Sequence, residues 1–141
     1  MPFFRSLILF TPLIHLLILV FLILAAIEDY KTREVSNGIT VPLFFGGVAV
    51  IVLSPEPLYI LISLLLYLFW YKRWMGGADV KVLIALLGLW SEAALIAFFL
   101  LGLWGMVLLI RKQKESFPGV VVMAVGAGLT FAGELSIMFL N

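Results

Sequence analysis

Aspartate occurs twice in the 141 residues of this chain, as Asp29 and Asp79. Asp79 stands in the run Met75-Gly76-Gly77-Ala78-Asp79-Val80-Lys81, where two glycines and an alanine leave the backbone nearly bare before the acid. Asp29 opens a mixed-charge stretch, Asp29-Tyr30-Lys31-Thr32-Arg33-Glu34-Val35-Ser36-Asn37-Gly38. Two carboxylates can hydrolyse an amide without a covalent intermediate. One, ionised, takes a proton from water, and the other, protonated, donates to the carbonyl oxygen or the leaving amine. At close range two like charges cannot both ionise, so such a pair shares one proton and titrates as a unit. A small-residue loop beside a carboxylate suits this chemistry, because glycine permits φ > 0 and lets an extended strand come close. Taken singly, each motif has a plainer reading. Gly76-Gly77 is then a turn with Asp79 as the N-cap of the next helix, and Asn37-Gly38 a turn in a solvated loop.

Other chemistries are excluded by composition. Cysteine is absent, which removes thiol catalysis, thiolate metal sites and disulfides. A single histidine, His15, removes a multi-histidine metal centre. A net charge of +1 offers no electrostatic footprint for nucleic acid.

The elements that must position the acids are membrane helices. Sixty-five per cent of the residues are hydrophobic, 12% are charged and the mean hydropathy is +1.24. A soluble domain of this size could not bury so much apolar surface. Six apolar stretches are legible: 7–27, 39–53, 58–71, 80–90, 93–110 and 117–140. The first would span about 31 Å as a helix, enough for a hydrocarbon core of about 30 Å. A secretory signal is the competing reading of 1–27, but its apolar run is longer than a signal core and its basic loops follow it. The stretch 80–90 is short and could be fused with 93–110 into one helix. Charge decides between the two counts. With six crossings, Lys31, Arg33, Lys72, Arg73, Lys81, Arg111, Lys112 and Lys114 share one side and Arg5 alone takes the other. That bias marks a cytoplasmic face, whereas five crossings leave the charges nearly balanced. The expectation is an all-α polytopic membrane protein, one domain over 1–141, with six transmembrane helices and both termini outside the cytoplasm. Asp29 and Asp79 then fall on the same, cytoplasmic side, although acidic residues took no part in the charge count. Tyr67, Phe69, Trp70, Tyr71 and Trp74 form an aromatic belt there. Ala124, Gly128 and Ala132 recur at the spacing that packs membrane helices closely.

The two motifs together resemble the type IV prepilin peptidase family, the prepilin and preflagellin signal peptidases among the Gly-x-Gly-Asp intramembrane aspartyl proteases. The resemblance runs from about Ala25 to Gly133 and includes Phe117-Pro118-Gly119, which looks like the family's Pro-Phe-Gly region. It implies catalytic roles for Asp29 and Asp79, an active-site loop of Gly76, Gly77 and Ala78, and supporting places for Lys81 and Asn37. Ala78 stands where many members have glycine, which restricts a left-handed backbone there, and Ser36 where many have proline. The implied substrate is a pilin-like or flagellin-like precursor whose short basic leader is cut on the cytoplasmic side, just before an apolar helix. Glu28 and Glu34 could attract such a leader. The larger members that also N-methylate carry an extra cytoplasmic segment with cysteines. Neither occurs here, so peptidase activity without N-methyltransferase activity is expected. No metal or cofactor is implied.

Helix ends suggest which acid holds the proton: Asp29 closes the first helix, where the dipole disfavours negative charge, and Asp79 opens the fourth, where it favours it. Asp79 is thus expected as resting base and Asp29 as resting acid. Lys81 lies on the opposite face of its helix from Asp79 and reads as a snorkelling charge. His15 and Glu134 are given no part in the chemistry. The rival reading is a non-enzymatic membrane protein, a transporter subunit or assembly factor, using the aspartates as an ion or proton site. Acids near one face rather than the midplane speak against it. A presenilin-type Gly-x-Gly-Asp protease would carry a Pro-Ala-Leu element, which is absent.

Overall fold

The computed structural model describes residues 2–111 and 118–140, with side chains from Thr11 onward. Lys112, Lys114 and Phe117, and the side chain of Arg5, lie outside the described residues. Six helices follow one another: α1 (Pro2–Thr32), α2 (Asn37–Leu53), α3 (Pro57–Tyr71), α4 (Gly77–Leu89), α5 (Ser91–Arg111) and α6 (Gly119–Leu140). Among the described residues there is no strand. Three helices are long and apolar enough to cross a bilayer: α1 over Thr11–Thr32, α5 and α6. The chain is therefore a membrane protein. Its lipid-facing sides carry exposed leucine, isoleucine and phenylalanine, such as Leu17, Phe99 and Phe139.

The short fourth stretch is a separate helix. Trp90 leaves helical geometry (φ −158°, ψ 78°) and α5 begins one residue later, folding back against α4. Its shortness follows from its place, because α4 is the centre of the bundle and packs against α2, α3, α5 and α6. Val80 and the unbroken run Val82–Leu87 are all buried. A helix apolar on every side belongs inside other helices.

The closest approach is between α2 and α4. A Cβ on Gly47 would lie 2.5 Å from the Ala85 Cα, and one on Gly88 would strike the Gly47 carbonyl. These two glycines let the backbones touch. Of the expected small-residue stripe on α6, Ala124 packs against the core, but Ala132 is exposed and Gly128 brings no helix close. A Cβ at Gly128 would meet nothing within 4 Å, and α6 packs instead through Gly119, Val120, Met123, Gly126 and Ala127. On α1 the buried residues are His15, Ile18, Leu22, Ala25 and Asp29, alternating three and four apart. That spacing is one helical face, so the face that packs α1 into the bundle delivers Asp29 to its interior.

Candidate active site

Asp29 lies in the last turns of α1, which ends as Arg33 takes a left-handed conformation (φ 60°) and donates its N–H to the Asp29 carbonyl at 3.0 Å. The loop to α2 is closed by Glu28, whose Oε2 accepts the Ser36 N–H at 2.9 Å. Glu28 therefore serves the loop, while Glu34 reaches the cleft described below. The Asn37-Gly38 turn is not formed. Asn37 is the first residue of α2, with Ser36 extended as its N-cap.

The loop before Asp79 also differs from its sequence reading. Gly76 is the N-cap of α4, extended at φ −64° and ψ 146°, and Gly77 and Ala78 are already helical. Among the described residues no glycine has positive φ. Asp79 is thus inside the first turn and is not the N-cap. Alanine at 78 costs nothing in backbone geometry, because a helical φ suits any L-residue. The glycines provide room rather than a turn. A Cβ on Gly77 would press the Trp70 ring at 3.2 Å, and one on Gly76 would stand 3.0 Å from Asp79 Oδ2.

The start of α6 joins the two acids. The Val120 N–H donates to Asp29 Oδ2 at 3.1 Å in a buried bond. It is one of the first-turn N–H groups that a helix leaves without an intrahelical partner. One residue earlier, a Cβ on Gly119 would fall 2.6 Å from Asp79 Cγ and 2.8 Å from its Oδ2. Gly119 and Val120 thus lie against Asp79 and Asp29 respectively. Both acids line one cleft of about 510 Å³, with Arg33, Glu34 and Val35 on one wall and 74–78 on another. Asp29 is 7% exposed. Burial, and after it the charge of Asp29, push the Asp79 carboxyl up to about 7. Asp79 precedes the apolar run 80–90 and shares the cleft lining with Trp74.

Lys81 and Asn37 are brought together but stand apart from the cleft lining. Lys81 Nζ donates to Asn37 Oδ1 at 3.0 Å, tying α4 to the start of α2. Lys81 also borders a separate hollow with Phe44, Tyr67 and Trp70. No group of three or more histidine, aspartate or glutamate side chains able to hold a metal occurs among the described residues. The contribution of Val120 escaped the sequence reading because a backbone N–H has no side-chain signature. Gly119 carried a signal only as part of Phe117-Pro118-Gly119.

A model of the type IV leader peptidase family matches residues 16–110. No curated protein and no solved structure matches the chain.

Proposed function

This chain belongs to the type IV leader peptidase family, and on that premise we propose that Asp29 and Asp79 are the catalytic dyad of a membrane aspartic endopeptidase. Its substrate is a pilin-like or flagellin-like precursor, whose short basic leader it removes at the cytoplasmic face. The observation that carries the reading is the shared cleft: two acids from different helices line one cavity, and one helix start lies against both.

Asp79, with its raised carboxyl, carries the proton shared by the pair near neutral pH. Asp29 already accepts an N–H, a role that suits a carboxylate. This proposal gives the two acids the opposite roles to those suggested by their own helix ends, because the start of α6 is a further partner of Asp29. Asp29 takes a proton from a water held between the carboxyls, and that water attacks the scissile carbonyl carbon. Asp79 gives its proton to the carbonyl oxygen. Collapse of the tetrahedral adduct expels the amine of the mature chain, which takes the proton from Asp29, while one hydroxyl of the adduct returns its proton to Asp79. The bare backbone at Gly76 and Gly77 makes room for the Asp79 carboxyl and the Trp70 ring.

Six crossings put this cleft on the cytoplasmic side. Lys31, Arg33, Lys72, Arg73 and Lys81 sit at the helix ends nearest it, and Trp74 of the aromatic belt lines it. Helices α2, α3 and α4 are shorter than a full span, and the enzyme sits where the bilayer can thin around them. Glu34, at the cleft, is the acid that meets a basic leader. The test is co-expression with a pilin-like precursor, scoring leader removal for wild type, Asp29→Asn and Asp79→Asn. Both variants lose cleavage while remaining in the membrane. Leader removal by either one overturns the dyad.

A further inference from the structure

A second polar cluster lies at the far end of the same bundle. Trp90, which ends α4, is 1% exposed, and its Nε1–H donates to Glu134 Oε1 at 2.8 Å. The other carboxylate oxygen of Glu134 meets His15 Nδ1 at 2.9 Å. The His15 and Trp90 rings are stacked, with centroids 4.2 Å apart and planes within 12°. Phe131 closes on Trp90 edge-on. The proton chemistry of the aspartates uses none of these groups, which lie about 16–22 Å away along their helices. Ionisable and hydrogen-bonding groups inside membrane helices are costly, so their persistence calls for a role.

The role follows from which helices are joined. His15 is on α1, Trp90 closes α4 and Glu134 is on α6. The same three helices carry Asp29, Asp79 and the Gly119–Val120 pair. Each helix carries one group toward either end: His15 and Asp29 on one face of α1 in steps of three and four residues, Asp79 and the cap residue Trp90 on α4, Val120 and Glu134 on α6. Between the two ends the helices meet through apolar packing, Leu22, Leu83, Leu86 and Met123 among it. Apolar burial is non-directional, so although α4 is held against α2 at Gly47 and Gly88 and by Lys81–Asn37, its apolar contacts alone do not fix it against α1 and α6. Hydrogen bonds are directional and fix both motions.

We propose that His15, Trp90 and Glu134 form a positioning clamp that sets the rotation and depth of α4 against α1 and α6, and thereby the meeting of Asp79 with Asp29. The inference rests on the dyad reading above. The test uses the full chain reconstituted in liposomes with a pilin-like precursor, comparing Trp90→Phe, Glu134→Ala, Glu134→Gln and Asp79→Asn. Rates are taken per folded molecule, with kcat and KM separated and a pH profile recorded. Trp90→Phe keeps the ring stack while removing the hydrogen bond, so it stays readable where Glu134→Ala fails to fold. Trp90→Phe and Glu134→Ala lower kcat about tenfold or more through misplaced carboxyls, with KM within about twofold. The alkaline limb of the profile moves with them, since burial and, after it, the charge of Asp29 hold the Asp79 carboxyl up. Glu134→Gln keeps both hydrogen bonds, with the imidazole in its other tautomer, and stays near wild type. Wild-type kcat per folded molecule and an unmoved pH limb in Trp90→Phe, whatever its melting temperature, overturn the clamp alone. Cleavage by Asp79→Asn overturns the dyad reading itself.

Discussion

Gly119→Ala is the sharpest probe of the site. The added methyl would stand 2.6 Å from Asp79 Cγ and 2.8 Å from its Oδ2, with a still shorter approach to Oδ1. Carbon contacts settle near 3.5–4.0 Å, so the carboxyl or the start of α6 must move by about 1 Å. Either movement damages the site. Turning Asp79 away breaks its alignment with Asp29, and pushing α6 outward removes the Val120 N–H from Asp29. A displacement of that size costs about a hundredfold in rate, or about 2.7 kcal/mol of transition-state stabilisation. The substitution does not strain the backbone, since Gly119 has no positive φ and alanine fits a helical residue. Gly128→Ala is the matched control on the same helix, where the new methyl meets nothing within 4 Å. The assay is single-turnover leader removal in liposomes, with the amount of folded enzyme measured beside it. Gly119→Ala should lose about two orders of magnitude in kcat while Gly128→Ala keeps wild-type activity. A Gly119→Ala enzyme that cleaves at the wild-type rate would refute the placement of both carboxyls at the start of α6.

Other outcomes follow from the same geometry. The acid form of Asp79 is populated below its pKa of about 7 and lost above it. Leader removal should therefore decline on the alkaline side by about tenfold per pH unit once the shared proton is gone, and a rate flat to pH 9 would contradict the assignment of Asp79 as the acid. Gly47→Ala places a methyl 2.5 Å from the Ala85 Cα. The forced separation of α2 and α4 should cost about 1–3 kcal/mol, read as a lowered melting temperature in detergent, whereas Gly102→Ala, with open space around it, should leave melting unchanged. Asn37→Ala removes the acceptor of the Lys81 ammonium. Because that pair lies outside the cleft lining, stability should fall by at most about 1 kcal/mol, with cleavage per folded molecule unaltered.

Much of this was legible in the one-dimensional pattern. Membrane character follows from composition, because apolar surface in that proportion has nowhere else to go. That Asp29 and Asp79 lie at one end of the bundle was expected from chain parity, and their shared cleft agrees with it. The break between α4 and α5 was read from charge balance and recurs in the structure at Trp90. The spacing of His15, Ile18, Leu22, Ala25 and Asp29 was also available, although only their joint burial reveals it as one face.

What the pattern could not contain is whatever two helices create by approaching each other. The Val120 N–H belongs to every peptide and becomes a partner of Asp29 only because α6 starts there. Gly119 and Gly47 are needed for the atoms opposite them, whereas Gly128, in a more suggestive spacing, faces open space. The same holds for Ala78, whose cost was judged from a left-handed loop that is in fact the first turn of α4. Glu134 and His15 read as isolated polar residues until Trp90 joins them. Hydropathy and charge act on each residue separately and survive in the order of the letters. Contact distances are set by three-dimensional packing, and they decide which bare backbone and which lone polar group takes part in the chemistry.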